Sequence, residues 1–126
     1  MAKIDFLKKR ADEFLDSAKW AFKEKYYNLA AFNLEQASQL YLKYYFGLKA
    51  RKYPKTHSLE ELLKGIGKIY EREKEVKKLL EENASVIGDL EQAYLTSRYL
   101  PVEFSKKRIE NMFEFFEKLV DFLKKL

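Results

Sequence analysis

Arg98 and Tyr99 stand side by side just ahead of Pro101. A guanidinium there can grip two phosphate oxygens at once, and a neighbouring phenol ring can stack on a base. The pair is therefore a candidate nucleotide or phosphate contact. Its local alternative is Arg98 bonding the orphan carbonyls of the preceding helix end, or pairing with a carboxylate. A second candidate is the basic segment Lys49, Arg51, Lys52, Lys55 and His57. It leads into a helix start at Ser58, where unpaired N–H groups suit an anion. The same run also serves as a cationic helix end that complements the dipole. His57, the one histidine of the chain, reads as a local hydrogen-bonding residue rather than a catalyst. Asn33 and Gln36, three apart on one helix, project to one side. Buried amides must be hydrogen-bonded, through a bundle-crossing network or to a ligand, and Glu35 and Gln39 fall in the same network.

Other chemistry is excluded or lacks its residues. With no cysteine in 126 residues, disulfides, thiolate metal sites and Cys nucleophiles are ruled out. The carboxylate pairs Glu60-Glu61, Glu81-Glu82 and Glu110 with Glu114 or Glu117 lack the Glu-x-x-His motifs of a di-metal bundle. Neither a Gly-rich phosphate loop nor a Ser–His–Asp order is present, so no metal and no cofactor is expected. The net charge of +5 is mild, because Lys and Glu are interleaved. That Lys and Glu content also fits a thermophilic source. No apolar run approaches the roughly 18 residues of a membrane span, and nothing at the N-terminus reads as a signal peptide. A cytoplasmic protein is expected.

The elements that position these residues are helical. Four Gly and two Pro leave room for long helices with short connections. Lys3 to Lys25 carries a stripe of Ile4, Leu7, Ala11, Phe14, Ala18 and Ala21. Asn28 to Leu48 is apolar on nearly every side, with Ala30, Leu34, Ala37 and Tyr41 at helical spacing. It reads as the central helix, capped by Asn28 and ended by Gly47. Ser58-Leu59-Glu60-Glu61 is a capping box opening a short helix that fades at Gly65 and Gly67. A solvated helix follows from Lys68 to Glu82, then a short segment holding Val86, Ile87, Leu90, Ala93 and Tyr94. Thr96 to Phe104 reads as a loop around Pro101, and Ser105 caps a last helix. On that helix Phe115 and Phe122 lie outside the core stripe, as does Trp20 on the first. These three are the candidate dimer interface. The architecture expected is all-α, an up-and-down antiparallel bundle of four to five helices.

Three passages in order resemble the HEPN domain, the nucleotide-binding helical domain of higher eukaryotes and prokaryotes. They are Ala31-Phe32-Asn33-Leu34-Glu35-Gln36-Ala37 with Leu42-Lys43, then Thr56-His57-Ser58-Leu59 with Leu62-Leu63, then Ser97-Arg98-Tyr99 with Pro101. The resemblance implies one HEPN-like domain over residues 1–126, a bundle that usually dimerises. It adds Lys43 to the nucleotide- or phosphate-binding candidates Arg98, Tyr99, His57, Lys55, Arg51, Gln36 and Asn33. It further implies two functional lines. One is metal-independent RNA cleavage at a dimer interface by an Arg followed, four to six residues on, by His. The other is partnership with a minimal nucleotidyltransferase, often as half of a toxin–antitoxin pair, with nucleotide binding. No histidine follows Arg98, and Asn33 and Gln39 stand where the family often has His and Glu. Without that imidazole the usual proton-transfer group is missing. The noncatalytic line leads, with an RNA nuclease borrowing His57 as runner-up and a purely structural interaction module third.

Overall fold

Leu7, Ala11, Ala18 and Ala21 fall on one face of the first helical stretch, and burying them lays it along its neighbour. A computed structural model describes residues 3–126. Its six helices are α1 (Asp5–Lys23), α2 (Tyr27–Ala50), α3 (Leu59–Ile69), α4 (Glu73–Glu82), α5 (Ala84–Tyr99) and α6 (Lys106–Lys124). α1, α2, α5 and α6 run alternately up and down, and α3 with α4 fills the crossing between α2 and α5. The all-α bundle is as expected, with one helix more than the four to five read from the sequence. α2 is central, packing on α1, α3, α5 and α6. From Ala30 to Leu42 it is buried on most sides, and it opens at its ends, where Leu29 and Leu48 are exposed.

Helix ends differ from the sequence reading in four places, each for a physical reason. Asn28 does not cap α2. Its side chain reaches across the bundle, donating to the Val102 carbonyl at 2.7 Å and accepting from the Phe104 N–H at 2.9 Å. Gly47 does not end α2, which runs to Ala50 and stops at Arg51 in a left-handed conformation (φ 62°). Gly65 and Gly67 do not end α3, and they serve close packing instead. A Cβ on Gly65 would lie 2.5 Å from the Phe46 ring, and one on Gly67 would lie 2.9 Å from Val76. The chain turns two residues beyond α3, at Glu71 (φ 58°), where Arg72 N–H bonds back to the Gly67 carbonyl. Finally, α5 continues to Tyr99, because Pro101 disfavours helical geometry only at its predecessor Leu100, which is extended (φ −114°, ψ 146°). The two read starts hold: Ser58 accepts from Glu61 N–H and Ser105 from Arg108 N–H, both at 3.2 Å.

The proposed dimer residues separate. Phe115 is only 2% exposed and belongs to the core cluster, so it is not available to a second subunit. Its position, seven before Phe122, looked like a second face because α6 is covered by both α2 and α5. Phe122 is half-buried against the same core, while Trp20 is exposed and meets Tyr26 edge-on at 5.6 Å. Among the described residues no helix is long and apolar enough to cross a membrane.

Candidate functional site

Glu35 and Gln39, four apart on α2, lie on one helix face, and Glu35 is fully buried. A carboxylate withdrawn from water needs donors. Gln36 supplies one through Nε2 at 2.8 Å, and Gln39 supplies a second. Desolvation nonetheless pushes Glu35 up from 4.5 to about 7, with Glu91 adding to the rise and Lys43 opposing it. Lys43 itself, about two turns further along α2, is lowered by burial and partly restored by Glu35. Its ammonium lies 6.0 Å from the centre of the Tyr53 ring.

From this buried acid a chain of polar contacts leads to the surface. Gln39 Oε1 is 3.4 Å from His57 Nδ1, and His57 Nε2 is 3.3 Å from the Tyr94 hydroxyl. The His57 and Tyr94 rings stack with centroids 4.6 Å apart. One turn beyond Tyr94, Arg98 donates from Nε and Nη2 to the Tyr94 main-chain carbonyl at 3.1 and 2.6 Å. Its guanidinium lies 5.0, 5.1 and 4.9 Å from the ring centres of Phe32, Tyr94 and Tyr99. His57 is held against α5 by the start of α3. Glu91 on α5 accepts from the Glu60 N–H at 3.1 Å and the Ser58 hydroxyl at 3.4 Å, satisfying donors that a helix N-terminus leaves open.

The candidates sort accordingly. Arg98, Tyr99, His57 and Gln36 are brought to one corner, with Lys43 coupled to it through Glu35. Arg98 and Tyr99 are in the last turn of α5 rather than in a loop, and Arg98 bonds a carbonyl inside its own helix, that of Tyr94, rather than the orphan carbonyls of a preceding helix end or a carboxylate. Arg51 and Lys55 are exposed earlier in the α2–α3 connection, and among the described residues no carboxylate pairs with them. Asn33 is buried and makes no hydrogen bond to the corner among the described residues. Tyr94 and Glu91 were missed as site residues. Their signal was the spacing Glu91, Tyr94, Arg98 at i, i+3, i+7. It was hidden by ending the helix at Thr96. Thr96 and Ser97 instead return their hydroxyls to the Gln92 and Ala93 carbonyls inside the helix.

The family model for the HEPN domain matches residues 4–126. The chain belongs to the HEPN family. No curated protein and no solved structure matches it. In this HEPN domain the ordered passages of the sequence come together in space: the second-helix pattern supplies Glu35, the Thr-His-Ser-Leu passage His57, and the Ser-Arg-Tyr passage Arg98.

Proposed function

We propose that this HEPN domain is a noncatalytic binding module that holds the phosphate of a nucleotide or single-stranded RNA at Arg98. One observation carries the reading: Arg98 is an exposed guanidinium clamped to a main-chain carbonyl, ringed by aromatic faces, and unpaired with any carboxylate among the described residues. Two of its five N–H groups go to Tyr94, and the rest suit phosphate oxygens. Tyr99, 72% exposed, offers a base a stacking face. Around them Leu95, Leu100 and Val102 are also exposed, an apolar rim of the kind that a protein partner covers. A second copy of the chain and a minimal nucleotidyltransferase, as in a toxin–antitoxin pair, are the partners proposed.

A second reading, a metal-independent RNA nuclease, is favoured by one feature: His57 and Arg98 converge on the same Tyr94 ring. Both nitrogens of His57 already have partners, which weighs towards binding without cleavage. Calorimetric titration of ATP, GTP and short single-stranded RNA separates the readings, with labelled RNA incubated in chelator alongside. The expected outcome is saturable binding, weakened about tenfold or more in Arg98→Ala, with the RNA intact. Cleavage in chelator that disappears in both Arg98→Ala and His57→Ala would make the protein a nuclease. No heat with any ligand would leave an interaction module.

A further inference from the structure

The hydrogen bonds between Glu35 and Tyr94 have a direction. A carboxylate only accepts, so charged Glu35 draws the Gln39 NH2 group towards it and turns Gln39 Oε1 to His57. That oxygen accepts in turn, which requires hydrogen on His57 Nδ1 and leaves Nε2 as an acceptor. The Tyr94 hydroxyl must then donate inward, to Nε2. Every hydrogen bond points at the buried acid. A protonated Glu35 donates instead, and the order reverses. The Gln39 oxygen turns to Glu35 and its NH2 to His57 Nδ1, the imidazole carries hydrogen on Nε2, and the Tyr94 oxygen accepts. At 3.3–3.4 Å the two imidazole contacts are long enough to exchange roles without moving either ring.

We propose that Glu35, Gln39, His57 and Tyr94 act as one relay. The proton state of the buried carboxylate sets which His57 nitrogen carries hydrogen. It thereby sets whether the Tyr94 hydroxyl is turned inward or is free to donate to an anion beside Arg98. With Glu35 charged, the corner shows a ligand the lone pairs of Tyr94 over a buried negative charge. With Glu35 neutral, it shows a phenol donor and no such charge, so a phosphate is held more tightly. The relay rests on the phosphate-binding reading for its ligand and on the hydrogen-bond geometry for everything else. The charged groups acting on Glu35 are Glu91 from α5 and Lys43 from α2 itself. His57 reaches it through Gln39 from the α2–α3 connection, and none of those charges comes from α1, α3 or α6. Burial places the carboxyl's titration near 7, where the two states exchange.

The single histidine makes the test direct. In 15N-labelled protein at pH 8, long-range proton–nitrogen spectra report which ring nitrogen is protonated. Wild type is expected to show the Nδ1–H form. Glu35→Gln, and Gln39→Met, which cuts the chain while leaving the acid, are expected to shift His57 towards Nε2–H. A short single-stranded uridylate RNA, titrated at pH 8 and 6.5, is expected to gain roughly three- to tenfold in affinity for wild type. In Glu35→Gln and Tyr94→Phe that pH dependence is expected to vanish. The same tautomer in wild type and both relay variants would overturn the relay, even if RNA binds in an Arg98-dependent way. The expected tautomer shift with no RNA bound at either pH would support the relay and overturn the phosphate-binding reading.

Discussion

Two carboxylates meet a neutral partner inside this bundle, and they are handled in opposite ways. Glu35 is fully buried on α2, hydrogen-bonded by side-chain amides, with Lys43 acting on it from further along the helix. Asp12 on α1 accepts from the Tyr41 hydroxyl, yet its side chain is 46% exposed and pairs with Lys8 at 3.3 Å. There the phenol is the buried member, 6% exposed, and burial with Asp12 beside it pushes Tyr41 well above the usual tyrosine range. Tyr41 therefore stays neutral at any ordinary pH and the pair is a fixed strut between α1 and α2. At Glu35 the ionisable group itself is desolvated, and a protein that needed only a strut would gain little by burying it. The difference marks the Glu35 corner as the place where charge can change.

The largest effect follows from that contrast. Glu35 titrates near 7 when folded and has an ordinary value of 4.5. Between those values the folded chain holds a proton that the unfolded chain has released. The stability due to the neutral form is thus complete below about 4.5 and is lost as the pH rises through 7, by on the order of 3 kcal/mol. Urea unfolding at pH 5 and 8 should show wild type losing that much more than Glu35→Gln across the interval. An equal loss in the two proteins would assign the pH dependence to other groups and erase the distinction from Asp12.

The helices and the core were legible in the sequence because they rest on periodicity. Leu34, Ala37, Ile109, Met112 and Leu119 are buried as their spacing required. The N-caps at Ser58 and Ser105 were legible for the same kind of reason, since the side chain and its N–H partner are three residues apart. What escaped was set by distant partners. Asn28 looks like a cap until its bonds to Val102 and Phe104 are seen. Gly65 looks like a helix end until Phe46 is found over it. At the corner, Arg98, His57 and Gln36 were legible as polar residues in ordered passages. That they share Tyr94 and Glu35 depends on the antiparallel register of α5 on α2, which no local pattern encodes.

A middle-sized effect tests the strut. Asp12→Ala leaves the buried Tyr41 hydroxyl without its acceptor and should cost about 1–2 kcal/mol, part of it relieved by water. Water has a route, since Tyr41 also lines a cavity of about 330 Å3 between α1 and α6 with Leu15, Phe113 and Phe116. Tyr41→Phe should cost less, about 1 kcal/mol, because the half-exposed Asp12 keeps Lys8 and solvent. Denaturation midpoints of the two variants decide the order. If Tyr41→Phe proves the more damaging, Asp12 depends on the phenol as Glu35 depends on its amides, and the two regions are alike.

The smallest effect belongs to Arg98. Its side chain is exposed, and the Tyr94 carbonyl it bonds already sits inside the helical ladder of α5, so removing the guanidinium leaves no orphan acceptor. Arg98→Ala should therefore change stability by no more than about 1 kcal/mol. In the same variant, phosphate-ligand affinity is expected to fall tenfold or more. A residue that matters for a ligand and hardly for the fold separates those two measurements, whereas a helix-capping arginine moves only the first. Were the variant to lose several kcal/mol in urea unfolding, Arg98 would be a structural clamp on Phe32, Tyr94 and Tyr99. The exposed corner would then have no cation of its own to offer, and the contrast with the Asp12 strut would rest on Glu35 alone.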